Sequence, residues 1–172
     1  IAILMEIMAG HDEKDATTVS DFVPRYRENL SQDISGLKIG VPKEYFDAEG
    51  MNEEYKTIVQ RRIEGMKQFG CSIVPVSLPY TKYGVAVYYI LVPSEDSSNL
   101  ARFDGMRYVI RVDGKNLFEV YGNTRAHGFP EEVKRRMMIG TYALSAGYYD
   151  AYYRKAQKVR TLVIRDFDRV FQ

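Results

Sequence analysis

Cysteine and histidine are scarce in this sequence of 172 residues, which contains one cysteine, Cys71, and two histidines, His11 and His127. A single cysteine excludes an internal disulfide framework and a metal site built from several cysteines. Cys71 follows Gly70 at the start of an apolar run, a setting typical of a small buried residue. Neither histidine has a plausible nucleophile nearby in the sequence, so a catalytic histidine is given little weight.

Strong net charge and long apolar runs are also missing. A net charge of +1 gives no overall field that would favour nucleic acid or a membrane as a partner. No apolar run approaches the roughly 20 residues that a membrane-spanning helix needs, and no secretion signal is recognisable. We therefore expect a cytoplasmic protein without membrane contact. Because both ends fall within amphipathic patterns and the first residue is not methionine, we also expect an internal piece of a longer protein.

The composition that is present, 45% hydrophobic and 27% charged, is that of an ordinary globular domain. Residues 37–42 and 71–76 read as short strands, and residues 53–69 between them have the spacing of an amphipathic helix closed by Gly70. Strand, helix and strand in this order predict a parallel pair. Further helices are predicted from about residue 82, with Pro93 inside, and over 117–124, 130–145 and 148–171. The expected fold class is α/β, in a single partial domain over 1–172.

Helical spacing also predicts which side chains face the core. In the 130–145 helix the expected core residues are Val133, Met137, Ile139 and Leu144. In the last helix, tyrosines at core spacing are expected inside, and Asp166 is expected on the opposite, charged face. Tyrosines interleaved with basic residues also suggest nucleic-acid binding, but their helical spacing favours packing.

Four strings carry a resemblance to a known family: GHDEKDATTV at 10–19, LKIGVPKEYF at 37–46, SSNLARFDGMRY at 97–108, and EVKRRMMIGTYALSAGYYDAYYRKAQKVRTL at 132–162. They resemble the amidase signature family, and within it the A subunits of the tRNA-dependent amidotransferases. The resemblance is weakest over 109–126. It implies a piece of an α/β/α sandwich, in which a short parallel strand pair is covered by several helices.

The resemblance also implies where catalysis takes place. Members of this family use a lysine and two serines in a Gly/Ser-rich segment, where one serine attacks the amide carbonyl and the lysine relays its proton through the other. This sequence has no such segment, and its only adjacent serine pair is Ser97-Ser98. We therefore assign no catalytic residue here, and expect the chain to be inactive alone. The triad would lie upstream of Ile1.

The substrate-binding residues implied by the resemblance are Tyr88 and Arg136. An arginine offers a planar fork for the α-carboxylate of a glutamine donor, and a tyrosine adds a hydroxyl. Packing alone could explain Tyr88, and Arg135 lies about 100° from Arg136 on a helix, so only one of them can face a given pocket. The residues at 97–99 would line the pocket floor or cap a turn. The acidic partner for the donor's ammonium group would lie beyond Gln172.

Cofactors and partners follow from the same resemblance. No cofactor is expected in this chain, because ATP and magnesium belong to the B subunit of the complex. The implied partners are glutamine, the B and C subunits and, through the complex, misacylated Glu-tRNA(Gln) or Asp-tRNA(Asn). Exposed apolar surface predicts a homodimer of the chain. The alternatives are another amide hydrolase of the family, for which EVKRR would be unnecessary, and a non-catalytic helical interaction module.

Overall fold

The computed structural model describes residues 1–48 and 50–172 and has a mixed α/β architecture. Its described helices and strands follow one another as α1 Ala2–Met8, α2 Tyr26–Asn29, β1 Lys38–Pro42, α3 Glu53–Gly65, β2 Ser72–Val76, α4 Gly84–Leu100, α5 Leu117–Gly128, α6 Glu131–Leu144 and α7 Tyr153–Val170. Short 3-10 turns occupy Lys43–Tyr45, Met66–Phe69 and Pro79–Tyr83. The predicted α/β class is confirmed.

The two strands pair with each other in parallel, as the strand–helix–strand pattern predicts. The connecting helix α3 begins where the Asn52 side chain accepts hydrogen bonds from the backbone N–H groups of Glu54 and Tyr55, at 2.9 and 3.2 Å. The helical segment ends at Gly70, whose φ of +80° lies in the left-handed region that favours glycine. Both ends are therefore fixed by local sequence signals.

The chain divides into two compact units. The first unit comprises residues 1–39 and 52–74. Within it, the Glu6 carboxylate accepts hydrogen bonds from both the backbone N–H and the side-chain Nε of Arg27, each at 2.8 Å. Cys71 is buried, as predicted, and its thiol donates to the carbonyl of Ile34. The first contact connects α1 to α2, and the second connects the residue before β2 to the loop that precedes β1.

The second unit comprises residues 40–51 and 75–172, and in it α4 packs against α6 and α7. Pro93 lies inside α4 and is buried, as is Ser94 beside it. The Ser94 hydroxyl donates to the carbonyl of Ile90 at 2.7 Å. Gly140 of α6 meets the α4 backbone here, because a Cβ built on Gly140 would lie 1.9 Å from the carbonyl oxygen of Pro93. Only glycine permits this close crossing of the two helices.

The predicted core face of α6 is partly wrong. Ile139 is 44% exposed, whereas Gly140 and Ala143 are the buried residues of this helix. The close crossing at Pro93 places the small residues of α6, rather than its largest apolar side chains, against α4. Met137 and Leu144 are half-buried, in agreement with the prediction.

The last helix also differs from the prediction. It begins at Tyr153 rather than Tyr148, because residues 145–152 form turns that include Gly147 at a φ of +88°. Asp166 is 2% exposed, although its position in the pattern predicts the solvent face. Its carboxylate accepts a hydrogen bond from the backbone N–H of Tyr80 at 2.9 Å and another from Arg169 at 2.8 Å. These partners explain how a carboxylate is tolerated inside.

Among the described residues, none of the helices combines the length and the apolar character needed to cross a membrane.

Candidate functional site

Tyr88 and Arg136, which are 48 residues apart in the sequence, meet where α4 packs on α6. The Arg136 Nη1 atom donates a hydrogen bond to the Tyr88 hydroxyl at 3.3 Å. The Tyr88 side chain is half-exposed, and its ring makes an edge-to-face contact with that of Tyr89, with ring centroids 5.2 Å apart. The two residues that the resemblance assigns to substrate binding are therefore neighbours on adjacent helices.

The guanidinium of Arg136 has a second contact on its own helix. Its Nε atom donates to Oε1 of Glu132, one turn earlier, at 3.2 Å. A guanidinium has five N–H donors, so these two bonds leave donors on Nη1 and Nη2 for another acceptor. The Arg136 side chain is 33% exposed, so solvent reaches part of it. The guanidinium has the planar, two-pronged form that suits a carboxylate.

The charges around Arg136 keep it and its partner ionised. The hydrogen bond that Arg136 donates to Glu132 and, after it, the contact with Tyr88 raise the pKa of Arg136 above its ordinary value. The hydrogen bond from Arg136 lowers the pKa of Glu132, and the nearby charge of Arg135 adds to this effect. Both groups therefore stay charged at neutral pH.

Arg135 and Arg136 point in different directions, as their helical spacing predicts. Arg135 also pairs with Glu132, but through the other carboxylate oxygen, and its side chain is 68% exposed. Only Arg136 reaches α4. The structure thus separates two adjacent arginines that the sequence leaves as alternatives.

The serines that follow Pro93 hydrogen-bond to backbone carbonyls of their own helix. The Ser97 hydroxyl donates to the carbonyl of Ser94 at 2.9 Å. This is the local backbone bonding expected of a residue that caps a turn. Ser98 and Asn99 are exposed, and Asn99 accepts two hydrogen bonds from Arg102 through its backbone and side-chain oxygens.

Comparison with known proteins decides the family. The Amidase family model matches residues 1–172, the whole chain. The chain belongs to the amidase family. The resemblance found in the four sequence strings is thereby confirmed.

Relatives of this amidase chain carry a more specific name. Over 170 residues it is 56% identical to the A subunit of glutamyl-tRNA(Gln) amidotransferase from Rhodopseudomonas palustris strain BisB5, a match that covers 99% of this chain and 34% of the relative. The protein of the same name from Bartonella henselae strain Houston 1 matches with the same identity and coverage. The chain therefore spans about a third of the length of these curated relatives.

A solved structure is also similar. The crystal structure of the A subunit of glutamyl-tRNA(Gln) amidotransferase from Thermotoga maritima aligns with a TM-score of 0.61 and 37% identity, over 98% of this chain and 32% of that one. Identity and coverage at this level show that the α/β architecture described above is part of the amidase fold.

Two neighbouring cavities of the amidase chain are lined by neither Tyr88 nor Arg136. One, of about 460 Å³, lies between α5 and α6, and the other, of about 330 Å³, lies beside the irregular segment before α5. Arg125 and Phe129 line both, and the Arg125 guanidinium lies 5.2 Å from the centre of the Phe129 ring. Arg125 is already bonded to the carbonyls of Leu100 and Phe103. Sequence reasoning did not find these cavities, which depend on tertiary packing.

Of the tyrosines predicted to face the core of the last helix, Tyr149 and Tyr152 precede α7 and are 41% exposed, whereas Tyr153 at its start is half-buried. The rings of Tyr142 and Tyr148 lie 4.3 Å apart, and both are within about 6 Å of Tyr152. The hydrogen bond with Tyr148 raises the pKa of Tyr142 to about 12. The Tyr153 hydroxyl donates to Glu95 of α4 at 2.6 Å, and this bond raises the pKa of Tyr153. The last pair connects α7 to α4.

Proposed function

We propose that this chain contributes the donor-binding part of the A subunit of a glutamine-dependent amidotransferase. In the whole protein, glutamine is hydrolysed and the released ammonia amidates Glu-tRNA(Gln). Two observations support this proposal: the names of relatives that are 56% identical to the chain, and the contact between Tyr88 and Arg136. The second observation carries the assignment of the site, because it gives a charged fork with unused donors at an exposed position.

The chemistry of the donor fits this pair. Glutamine carries an α-carboxylate, which a guanidinium binds through two parallel hydrogen bonds. Arg136 donates to the oxygen of the Tyr88 hydroxyl, so the hydrogen of that hydroxyl can itself be donated to the substrate. An amide hydrolase whose substrate lacks an α-carboxylate would not need such a fork. The site therefore favours an amino-acid donor.

The other parts of the reaction are proposed to lie elsewhere. The nucleophilic serine and its lysine would come from a segment outside this chain, so the chain alone binds the donor without cleaving it. ATP and magnesium, which activate the acyl-tRNA, would act in the B subunit of a cytoplasmic complex that also contains a C subunit. Ammonia release itself needs only the amidase chemistry of serine and lysine.

Replacing Arg136 by alanine in the full-length protein tests the proposal. Loss of a charge-assisted, two-pronged contact should lower kcat/KM for glutamine by roughly 30- to 1000-fold. Activity with free ammonium as nitrogen donor should be retained, because ammonium has no carboxylate. The measurement is steady-state kinetics of the assembled complex with each nitrogen donor.

Arg135→Ala is the matched control, since it removes the adjacent arginine, which does not reach Tyr88. We expect it to leave both activities close to wild type. If Arg136→Ala lowered the glutamine and ammonium reactions equally, the arginine would have a structural role and the donor-site assignment would be wrong.

A further inference from the structure

We propose that Glu132 is a positioning residue of the donor site, which holds the guanidinium of Arg136 so that its outer edge faces the donor carboxylate. This inference rests on the proposed function, because it gives Arg136 the role of binding that carboxylate. It adds a residue that does not itself touch the donor.

The geometry carries the inference. Glu132 lies in the first turn of α6 and divides its two carboxylate oxygens between two arginines. Oε1 accepts from Nε of Arg136 at 3.2 Å, and Oε2 accepts from Nη1 of Arg135. The carboxylate of Glu132 thus bridges the two arginines and holds one of them at each oxygen. Glu132 holds Arg136 at Nε, and Tyr88 accepts one hydrogen bond from Nη1, which leaves the second hydrogen of Nη1 and both hydrogens of Nη2 for a ligand.

The contact with Nε determines which edge of Arg136 is free. An arginine can grip a carboxylate through Nε and one Nη, or through the two Nη atoms. Because Glu132 occupies Nε, only the edge formed by Nη1 and Nη2 remains for a two-pronged contact. The residue thus selects one orientation of the fork.

Holding the fork in advance should improve donor binding. A free arginine side chain has many rotamers, and fixing them at the moment of binding weakens affinity. Glu132 also has an opposing effect, since its negative charge repels the donor carboxylate. Its side chain is 54% exposed, so solvent and salt screen this repulsion. We therefore expect the ordering effect to dominate.

The chain offers a matched control in the preceding residue. Glu131 lies in the same first turn, carries the same charge near the positive helix end, and pairs with Lys134 Nζ at 2.8 Å. Its carboxylate makes this contact instead of a contact with Arg136. Replacing either glutamate removes one negative charge from the first turn of α6; Glu131→Ala removes the pair with Lys134, whereas Glu132→Ala removes the pairs with Arg135 and Arg136 and releases the guanidinium of Arg136.

The test uses the full-length protein in its assembled complex. Glu132→Ala should raise KM for glutamine by roughly three- to tenfold, the range of an exposed charge-assisted contact, with kcat within about twofold of wild type. Glu132→Gln keeps an oxygen acceptor for Nε and should raise KM less than the alanine variant. Glu131→Ala, and the ammonium reaction of all variants, should stay close to wild type.

A double variant separates positioning from other effects. When Arg136 is already alanine, changing Glu132 to alanine should add no further loss, because no guanidinium remains to be held. The inference is overturned if Glu132→Ala acts no more strongly than Glu131→Ala, lowers KM, or has its full effect in the absence of Arg136. Failure of the proposed function is a different result, in which Arg136→Ala itself shows no defect specific to glutamine.

Discussion

The close crossing of α4 and α6 at Gly140 gives the sharpest stability prediction. A Cβ at this position would lie 1.9 Å from the carbonyl oxygen of Pro93, 2.3 Å from its carbonyl carbon and 2.8 Å from the backbone nitrogen of Ser94. Cβ atoms essentially never approach another atom within 3.0 Å. All three neighbours are backbone atoms, so no side chain can rotate away to make room. Gly140→Ala must therefore displace one helix.

The size of the effect follows from two opposing terms. Alanine is the better helix former, by about 1 kcal/mol. Against this, reaching even the 3.0 Å limit from 1.9 Å requires a shift of at least about 1.1 Å between helices that are packed along their length. Overpacking a core costs about 1–3 kcal/mol, occasionally more, when side chains can relieve it. Because the clash here is with backbone, we expect a net destabilisation of about 2 kcal/mol or more.

The displacement of α4 relative to α6 in Gly140→Ala should also disturb the contact between Tyr88 and Arg136. Gly140 lies one turn after Arg136, and Pro93 lies five residues after Tyr88. Separation of the helices would therefore break the 3.3 Å contact between Arg136 and Tyr88. Gly140→Ala should raise KM for glutamine in addition to lowering stability.

Chemical denaturation of the full-length protein measures the change, with Gly122→Ala as control. Gly122 lies inside α5 and a Cβ there would meet no atom within 4 Å, so this variant should be more stable than wild type by about 0.5–1 kcal/mol. The reasoning is refuted if Gly140→Ala unfolds at the same or a higher denaturant concentration than wild type.

Local signals in the sequence were sufficient for much of the fold. The helical segment over 53–69 was predicted with Gly70 as its end, and in the structure α3 and the 3-10 turn after it occupy this range, with Asn52 capping the start and Gly70 left-handed at the end. The parallel pair follows from the order of strand, helix and strand. Helix α4 was also predicted with Pro93 inside it. These features depend on residues that are close in sequence.

Features that depend on distant residues were missed. A helical pattern identifies Ile139 as the apolar residue, but the contact with α4 selects Gly140 because only its lack of a side chain allows the backbones to meet. Asp166 reads as a surface carboxylate because its acceptor role requires the N–H of Tyr80, 86 residues earlier. Large apolar side chains mark a core, whereas close crossings and buried polar pairs have no periodic signature.

The contacts within the candidate site could not be predicted from the sequence either. The resemblance assigned Tyr88 and Arg136, but residue type alone does not distinguish Arg136 from Arg135. The glutamates of EEVKRR are likewise equivalent in the sequence, and only the structure shows that Glu132, not Glu131, bonds to Arg136. The i and i+4 spacing of Glu132 and Arg136 is a weak signal that such a pair could form.

Two further predictions concern buried or bonded carboxylates. Asp166→Ala should destabilise the protein by about 1–3 kcal/mol in thermal or chemical unfolding, because the part-buried N–H of Tyr80 loses its acceptor, whereas alanine at the exposed Asp168 should change little. Glu44 accepts hydrogen bonds from the Ser77 hydroxyl at 2.5 Å and from the backbone N–H of Leu78 at 2.9 Å, and these bonds lower its pKa below the ordinary value of 4.5. A lowered pKa in the folded state means that the carboxylate stabilises the fold above about pH 4.5, and that this contribution is lost as the pH falls through the lowered value. Wild type should therefore exceed Glu44→Gln in stability at neutral pH, and the difference should shrink in acid. Unfolding midpoints measured between neutral pH and about pH 3 check this, and a difference that stayed constant over that range would show that the ionised form of Glu44 is not what stabilises the turn at Ser77.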